Sequence, residues 1–259
     1  MVLLHRPFYR RTSAQVSALN RPGLRVLLAA AALAVVAAKL SAAQDIPHYP
    51  GIRESDGRVI VDPLEPPWNA IAKIQTNIGS RCTGVLVAPA TVLTAAHCLY
   101  NRLTRGLLQP VSLHVLVGYR EGVFRWHRLV ASYTVGNGFD GGKPPPQTAD
   151  WARIELAEPI PDAVSPLRIA QQPVASGMAI ALVGYNQDRA QLLMADPSCH
   201  IGIVTPRAGG TLLLHDCSAT RGTSGGPLLT REGGGWAVVG INIGAGDLAN
   251  VALATPHVN

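Results

Sequence analysis

The chain reads as an all-β protein in two halves, each a cluster of about six short strands, packed as two β-barrels or a sandwich with a cleft between the halves. Three observations predict this. Val, Ile and Leu fall in short runs, and no amphipathic helix of any length stands out. Gly and Pro, 26 and 20 of 259 residues, interrupt those runs as turn residues. A proline-spaced connector, EPIPDAVSPL (Glu158–Leu167), divides the strands into two clusters.

Residues 1–43 stand apart from the strands. They hold Arg6, Arg10, Arg11, Arg21, Arg25 and Lys39 but no acid, then a 13-residue apolar block, Val26–Ala38, and the small residues Ser41-Ala42-Ala43. That order describes a secretory signal cleaved after Ala43, and implies a secreted or periplasmic protein. Thirteen apolar residues are too few to span a bilayer comfortably, so no stable membrane anchor is expected after cleavage. The formal net charge of +6 belongs to this leader; beyond it 16 basic residues face 16 acidic ones. A neutral body argues against nucleic acid as a partner.

Residues 44–66 are rich in proline and charge and read as a linker or short pro-segment. The first barrel is expected over 67–163. Its strand signals are IAKIQT (Ile71–Thr76), CTGVLVA (Cys82–Ala88), TVLTAA (Thr91–Ala96), LHVLVGY (Leu113–Tyr119), WHRLVASYTV (Trp126–Val135) and WARIEL (Trp151–Leu156). GNGFDGGKPPPQT (Gly136–Thr148) reads only as a surface loop. The second barrel is expected over 164–259, from MAIALVGY (Met178–Tyr185), CHIGIV (Cys199–Val204), TLLLHDC (Thr211–Cys217), GPLLT (Gly226–Thr230) and WAVVGINIG (Trp236–Gly244).

The four cysteines form two close pairs, and export favours disulfides. Three connectivities are possible. Cys82–Cys98 with Cys199–Cys217 is preferred, because each bridge then links neighbouring strands within one half. The competing idea is zinc held by Cys199, His200, His215 and Cys217, but adjacent Cys-His ligands do not follow the usual separation. Neither metal nor cofactor is expected.

Chemistry concentrates around RGTSGGPLL (Arg221–Leu229), where one serine stands among three glycines. A turn into a strand accounts for it blandly; a nucleophile whose backbone approaches a substrate carbonyl accounts for it better, provided a base is present. Of eight histidines, His97 ends the strand TVLTAAHC beside Cys98, where a bridge to Cys82 would pin it. Asp150, at the start of DWARIEL, is the candidate to orient the imidazole, with Asp140 a competitor in a glycine-rich loop.

TAAHC around His97, DWARIEL from Asp150 and GTSGGPL around Ser224, in that order, resemble the chymotrypsin-like serine proteases. With PPWNAIAKI (Pro66–Ile74), GYNQDR (Gly184–Arg189) and HDCSATRGTSGGP (His215–Pro227), the chain is most similar to the bacterial exported branch related to the glutamyl endopeptidases. The resemblance implies two perpendicular six-stranded barrels with the site in their cleft. It implies a Ser-His-Asp triad of Ser224, His97 and Asp150, with the N–H groups of Gly222 and Ser224 as oxyanion hole. Trypsin and its zymogen relatives carry an aspartate just before the nucleophile to receive a freed N-terminus; here that residue is Thr223, which has no charge to offer.

The implied substrate is a protein or peptide. Six residues before the nucleophile, where trypsin selects Arg and Lys with an aspartate, stands Ser218; with Ala219, Gly244 and Gly246 it forms a neutral pocket suited to uncharged side chains, although the nearby Asp216 keeps a basic preference open. Two rival functions remain: a catalytically silent binding protein on the same fold, and an esterase using the same triad.

Overall fold

The computed structural model describes residues 49–141, 147–161 and 163–255. The leader and the expected cleavage site after Ala43 lie outside them. Twelve strands form two closed six-stranded antiparallel barrels. The first contains β1 (Ile71–Thr76), β2 (Arg81–Ala88), β3 (Thr91–Thr94), β4 (Leu113–Val117), β5 (Trp126–Val135) and β6 (Ala152–Leu156). Its order is β1-β2-β3-β6-β5-β4, closed by β4 against β1. The second contains β7 (Ala179–Tyr185), β8 (Leu193–Arg207), β9 (Gly210–His215), β10 (Pro227–Glu232), β11 (Gly235–Gly244) and β12 (Asn250–Ala254). Its order is β8-β7-β10-β11-β12-β9, closed by β9 against β8.

Each barrel is filled by the inward faces of its strands. Ile71, Val85, Leu86, Val92, Leu113, Val115 and Ile154 are fully buried in the first, and Ile201, Leu213, Leu228, Val239 and Leu253 in the second. A single apolar cluster runs from the first barrel into Val183, Tyr185, Leu229 and Ile241 of the second, so burial of the joint surface holds the halves together. Among the described residues no helix is long and apolar enough to cross a membrane.

Three segments differ from the sequence expectation. β8 begins at Leu193, ahead of CHIGIV, because Met194–Asp196 pair with β7 despite the turn-like Asp196-Pro197. NVALA (Asn250–Ala254) is the sixth strand of the second barrel, between β9 and β11. The segment from Tyr49 onward, proline-rich as it is, packs against the second barrel: Val59–Ile60 pair with Ala195 and Met194, and Arg58 is clamped between Asp56 and Asp188.

Candidate active site

The geometry of His97 and Asp150 follows from the pairing of β3 with β6. Thr94, the last residue of β3, lies opposite Ala152, the first of β6. The chain leaving β3 forms a 3-10 turn at Ala96–Leu99, and the chain entering β6 comes from another at Gln147–Ala149. His97 and Asp150 therefore lie just off the same edge of the barrel. His97 is on the turn and not on the strand where the sequence pattern places it.

One Asp150 carboxylate oxygen accepts the backbone N–H of His97 at 2.9 Å, and the other lies 2.7 Å from the ring Nδ1. Two bonds from one carboxylate fix both the position and the rotation of the imidazole. A carboxylate only accepts, so Nδ1 carries the hydrogen and Nε2 is left as the basic nitrogen. Asp150 is buried, while the imidazole is 26% exposed and can meet a ligand.

Disulfide Cys82–Cys98 joins β2 to the His97 turn, with Cα atoms 6.0 Å apart. Cys199–Cys217 joins β8 to the segment after β9. Both bridges follow the preferred connectivity. All four sulfurs are oxidised, so the Cys-His zinc arrangement is not formed.

Ser224 arrives from the second barrel on the loop preceding β10, and Thr83 of β2 fastens that loop to the first barrel. The Thr83 N–H donates to Ser224 O at 2.9 Å, and its hydroxyl donates to Gly222 O at 2.8 Å. The Thr83 hydroxyl also accepts the N–H of Tyr185, and its carbonyl accepts the hydroxyl of Thr94. Cys98 Sγ lies 3.7 Å from Ser224 O, which sets the serine beside the bridge that flanks His97. Gly225 allows this approach: its φ is +78°, and a Cβ there would stand 2.0 Å from Thr94 Oγ1 and 2.3 Å from Thr83 O.

Gly222 has φ +94°, with a hypothetical Cβ 2.5 Å from Tyr185 O. Among the described residues, the N–H groups of Gly222 and Ser224 donate to no protein acceptor. Both residues are partly exposed, so these two donors are open to solvent and can meet a ligand oxygen.

Below this loop lies a buried polar web. Asn186 Oδ1 accepts from the Thr223 hydroxyl at 2.9 Å and from the Thr220 N–H at 2.8 Å. The Thr220 hydroxyl bonds Asp188, whose carboxylate pairs with Arg58. Burial acts to raise the Asp188 pKa, but the Arg58 guanidinium and the Thr220 hydroxyl outweigh it and hold the carboxyl below its usual range.

Ser218, Ala219 and Gly246 gather around the segment Gly51–Arg53. The Arg53 N–H donates to Ser218 Oγ, the Ala219 N–H donates to Gly51 O, and Arg53 Nη2 donates to Gly246 O. Gly244 ends β11 opposite Val251. Ser218 and Ala219 are both buried, Ser218 on the Asp196 carboxylate that accepts its N–H at 2.7 Å. Asp216 turns away to solvent, bonding the backbone of His200. Sequence reasoning missed Thr83, Gly51, Arg53 and Asn250, whose Oδ1 accepts the Gly246 N–H at 3.0 Å. Each looks like an ordinary strand or turn residue, and only Gly51, after Pro50, carries a local signal.

Comparison with known proteins gives a family and a fold. A family model described as Trypsin matches residues 61–256. The glutamyl endopeptidase of Bacillus licheniformis is 31% identical over 126 residues, which is 48% of this chain and 38% of that protein. A solved Glu endopeptidase in complex with MPD superposes with a TM-score of 0.64 at 24% identity, over 78% of this chain and 93% of that one.

Proposed function

This chain belongs to the trypsin family, as a chymotrypsin-like serine protease related to the glutamyl endopeptidases, and from that premise we propose that it is an exported endopeptidase cutting peptide bonds through an acyl-enzyme. Ser224 Oγ attacks the scissile carbonyl while His97 Nε2 takes its proton. The carbonyl oxygen, now an anion, is received by the N–H groups of Gly222 and Ser224, a term worth about 3–4 kcal/mol per donor in comparable sites. Asp150 stabilises the imidazolium, which returns the proton to the leaving amine. Water then repeats the sequence on the acyl-enzyme and frees Ser224.

The observation that carries this reading is the pairing of the doubly bonded His97–Asp150 unit with a Ser224 loop fastened beside it by Thr83 and offering two uncommitted donors. A purely structural loop does not need those donors left open. The two disulfides support an oxidising compartment and hence export.

A fluorophosphonate probe tests the reading, because only an activated hydroxyl attacks its phosphorus. The chain beginning near Gln44 should label at Ser224, and the Ser224→Ala and His97→Ala variants should not label while remaining folded. Incubation with a peptide library separates an endopeptidase from an esterase and reads the acyl-side preference among uncharged, basic and glutamyl side chains. Labelling that survives His97→Ala overturns the mechanism.

A further inference from the structure

Between the two barrels, beside Gly222, lies a pocket of about 170 Å³ whose lining includes Lys73, Arg81, Tyr185, Gln187 and Arg221. Three cationic side chains thus meet at one cavity. Lys73 is a residue of β1 with only 1% of its surface exposed. Its ammonium donates to Ala190 O at 2.7 Å and stands 3.7 Å from the centre of the Tyr119 ring. An ammonium has three donors, and a carbonyl and a ring face do not neutralise its charge.

Among the described residues, no carboxylate forms an ion pair with Lys73, Arg81 or Arg221. Asp188, on the neighbouring turn, is committed to Arg58 and Thr220. Burial, with Arg81 adding to it, pushes the Lys73 ammonium down to about 8, as expected for a cation lacking a counter-ion. Holding a lysine in such a place is costly unless an anion comes to it.

The direction of the pocket follows from the chemistry of the neighbouring groups. His97 must reach the leaving nitrogen, so the leaving segment of a substrate passes on the side of the Cys82–Cys98 bridge, and Arg81 directly precedes Cys82. The other flank of the Ser224 loop is occupied by β11, where Asn242 O accepts the Gly225 N–H.

We propose that this pocket is an anion subsite for the leaving segment, taking the carboxylate of an aspartate or glutamate one or two residues beyond the bond that is cut. The inference rests on the endopeptidase reading. Lys73 forms the floor of the subsite, and Arg81 and Arg221 its exposed rim.

A peptide library randomised on the acyl side, with matched members carrying Asp, Asn or Lys at each of the first two leaving-side positions, tests it. The Asp members should be cleaved with kcat/KM about tenfold above their Asn counterparts at one of those positions, and the Lys members below both. In an Arg81→Glu/Arg221→Glu variant, whose changes are on the exposed rim, the Asp-over-Asn ratio should fall to one or invert. Cleavage with equal Asp and Asn rates overturns the subsite alone, as does a ratio unmoved by the double substitution. No cleavage of any member by the unmodified protein overturns the endopeptidase reading and the subsite with it.

Discussion

The Thr223 hydroxyl donates a 2.9 Å hydrogen bond to Asn186 Oδ1, with both residues almost fully buried behind the Gly222–Ser224 loop. Thr223, which stands just before Ser224 where trypsin carries an aspartate, is thus held by a neutral partner. Asn186→Ala strands the Thr220 N–H and the Thr223 hydroxyl without their acceptor, at about 1–3 kcal/mol for each group. Steady-state kinetics should show kcat/KM falling at least tenfold, and Thr223→Val should cost less because it removes only one donor.

A neutral brace requires no freed amine, so activity should tolerate an added residue at the start of the chain. It should not tolerate loss of Gly51–Arg53, which hold Ser218, Ala219 and Gly246. Chains beginning near Gln44, with and without an extra methionine, should give equal active-site titres with a fluorophosphonate. One beginning at Asp56 should titrate far lower. Activity confined to a single start and abolished by one added residue would mean that an N-terminal amine is inserted after all.

Gly225→Ala puts a methyl group on a residue with φ +78°, against Thr94 Oγ1 and Thr83 O. Left-handed backbone strain alone costs about 1–3 kcal/mol, and the overlap adds to it. Denaturant unfolding should register the loss, and peptide hydrolysis should fall below detection. Gly234→Ala is the control: it shares the positive φ, but a Cβ there meets nothing within 4 Å.

His215 is buried on β9 with its Nε2 3.1 Å from Asn242 Oδ1 and its Nδ1 unpartnered. Burial pushes its pKa down to about 4, against smaller upward contributions from Asn242 and Asp216 and a downward one from Arg53. The unfolded chain therefore binds a proton that the folded chain refuses between about pH 6.5 and about 4. Stability should be complete above pH 6.5 and fall through that window by on the order of 3 kcal/mol. Urea midpoints measured from pH 7.5 to 4.5 should show the slope, and His215→Gln should flatten it.

The strand runs and the motifs of the candidate site were legible because each depends on local pattern: alternation in IAKIQT, glycines around Ser224, a histidine beside a cysteine. The rest depends on partners distant in the chain. Thr83 sits in CTGVLVA like any β-branched strand residue, and its four bonds reach Thr94, Tyr185, Gly222 and Ser224. The Arg53 guanidinium closes a gap with Gly246 and Asn250, nearly two hundred positions away. Lys73 occupies a polar slot in an alternating strand, yet it lies under Tyr119 at the joint between the barrels, where β1 meets a surface that no pattern within β1 could announce.

Thr83 belongs to the half of the chain made first, and the loop it fastens to the half made last. The β1–β6 half, which carries His97 and Asp150, therefore holds only one part of the candidate site until the second half is made. The Ser224 loop gains its anchor only once β7 and β10 have formed and docked against Thr83. On the endopeptidase reading, the site exists only while both barrels are docked, because each supplies one part of it.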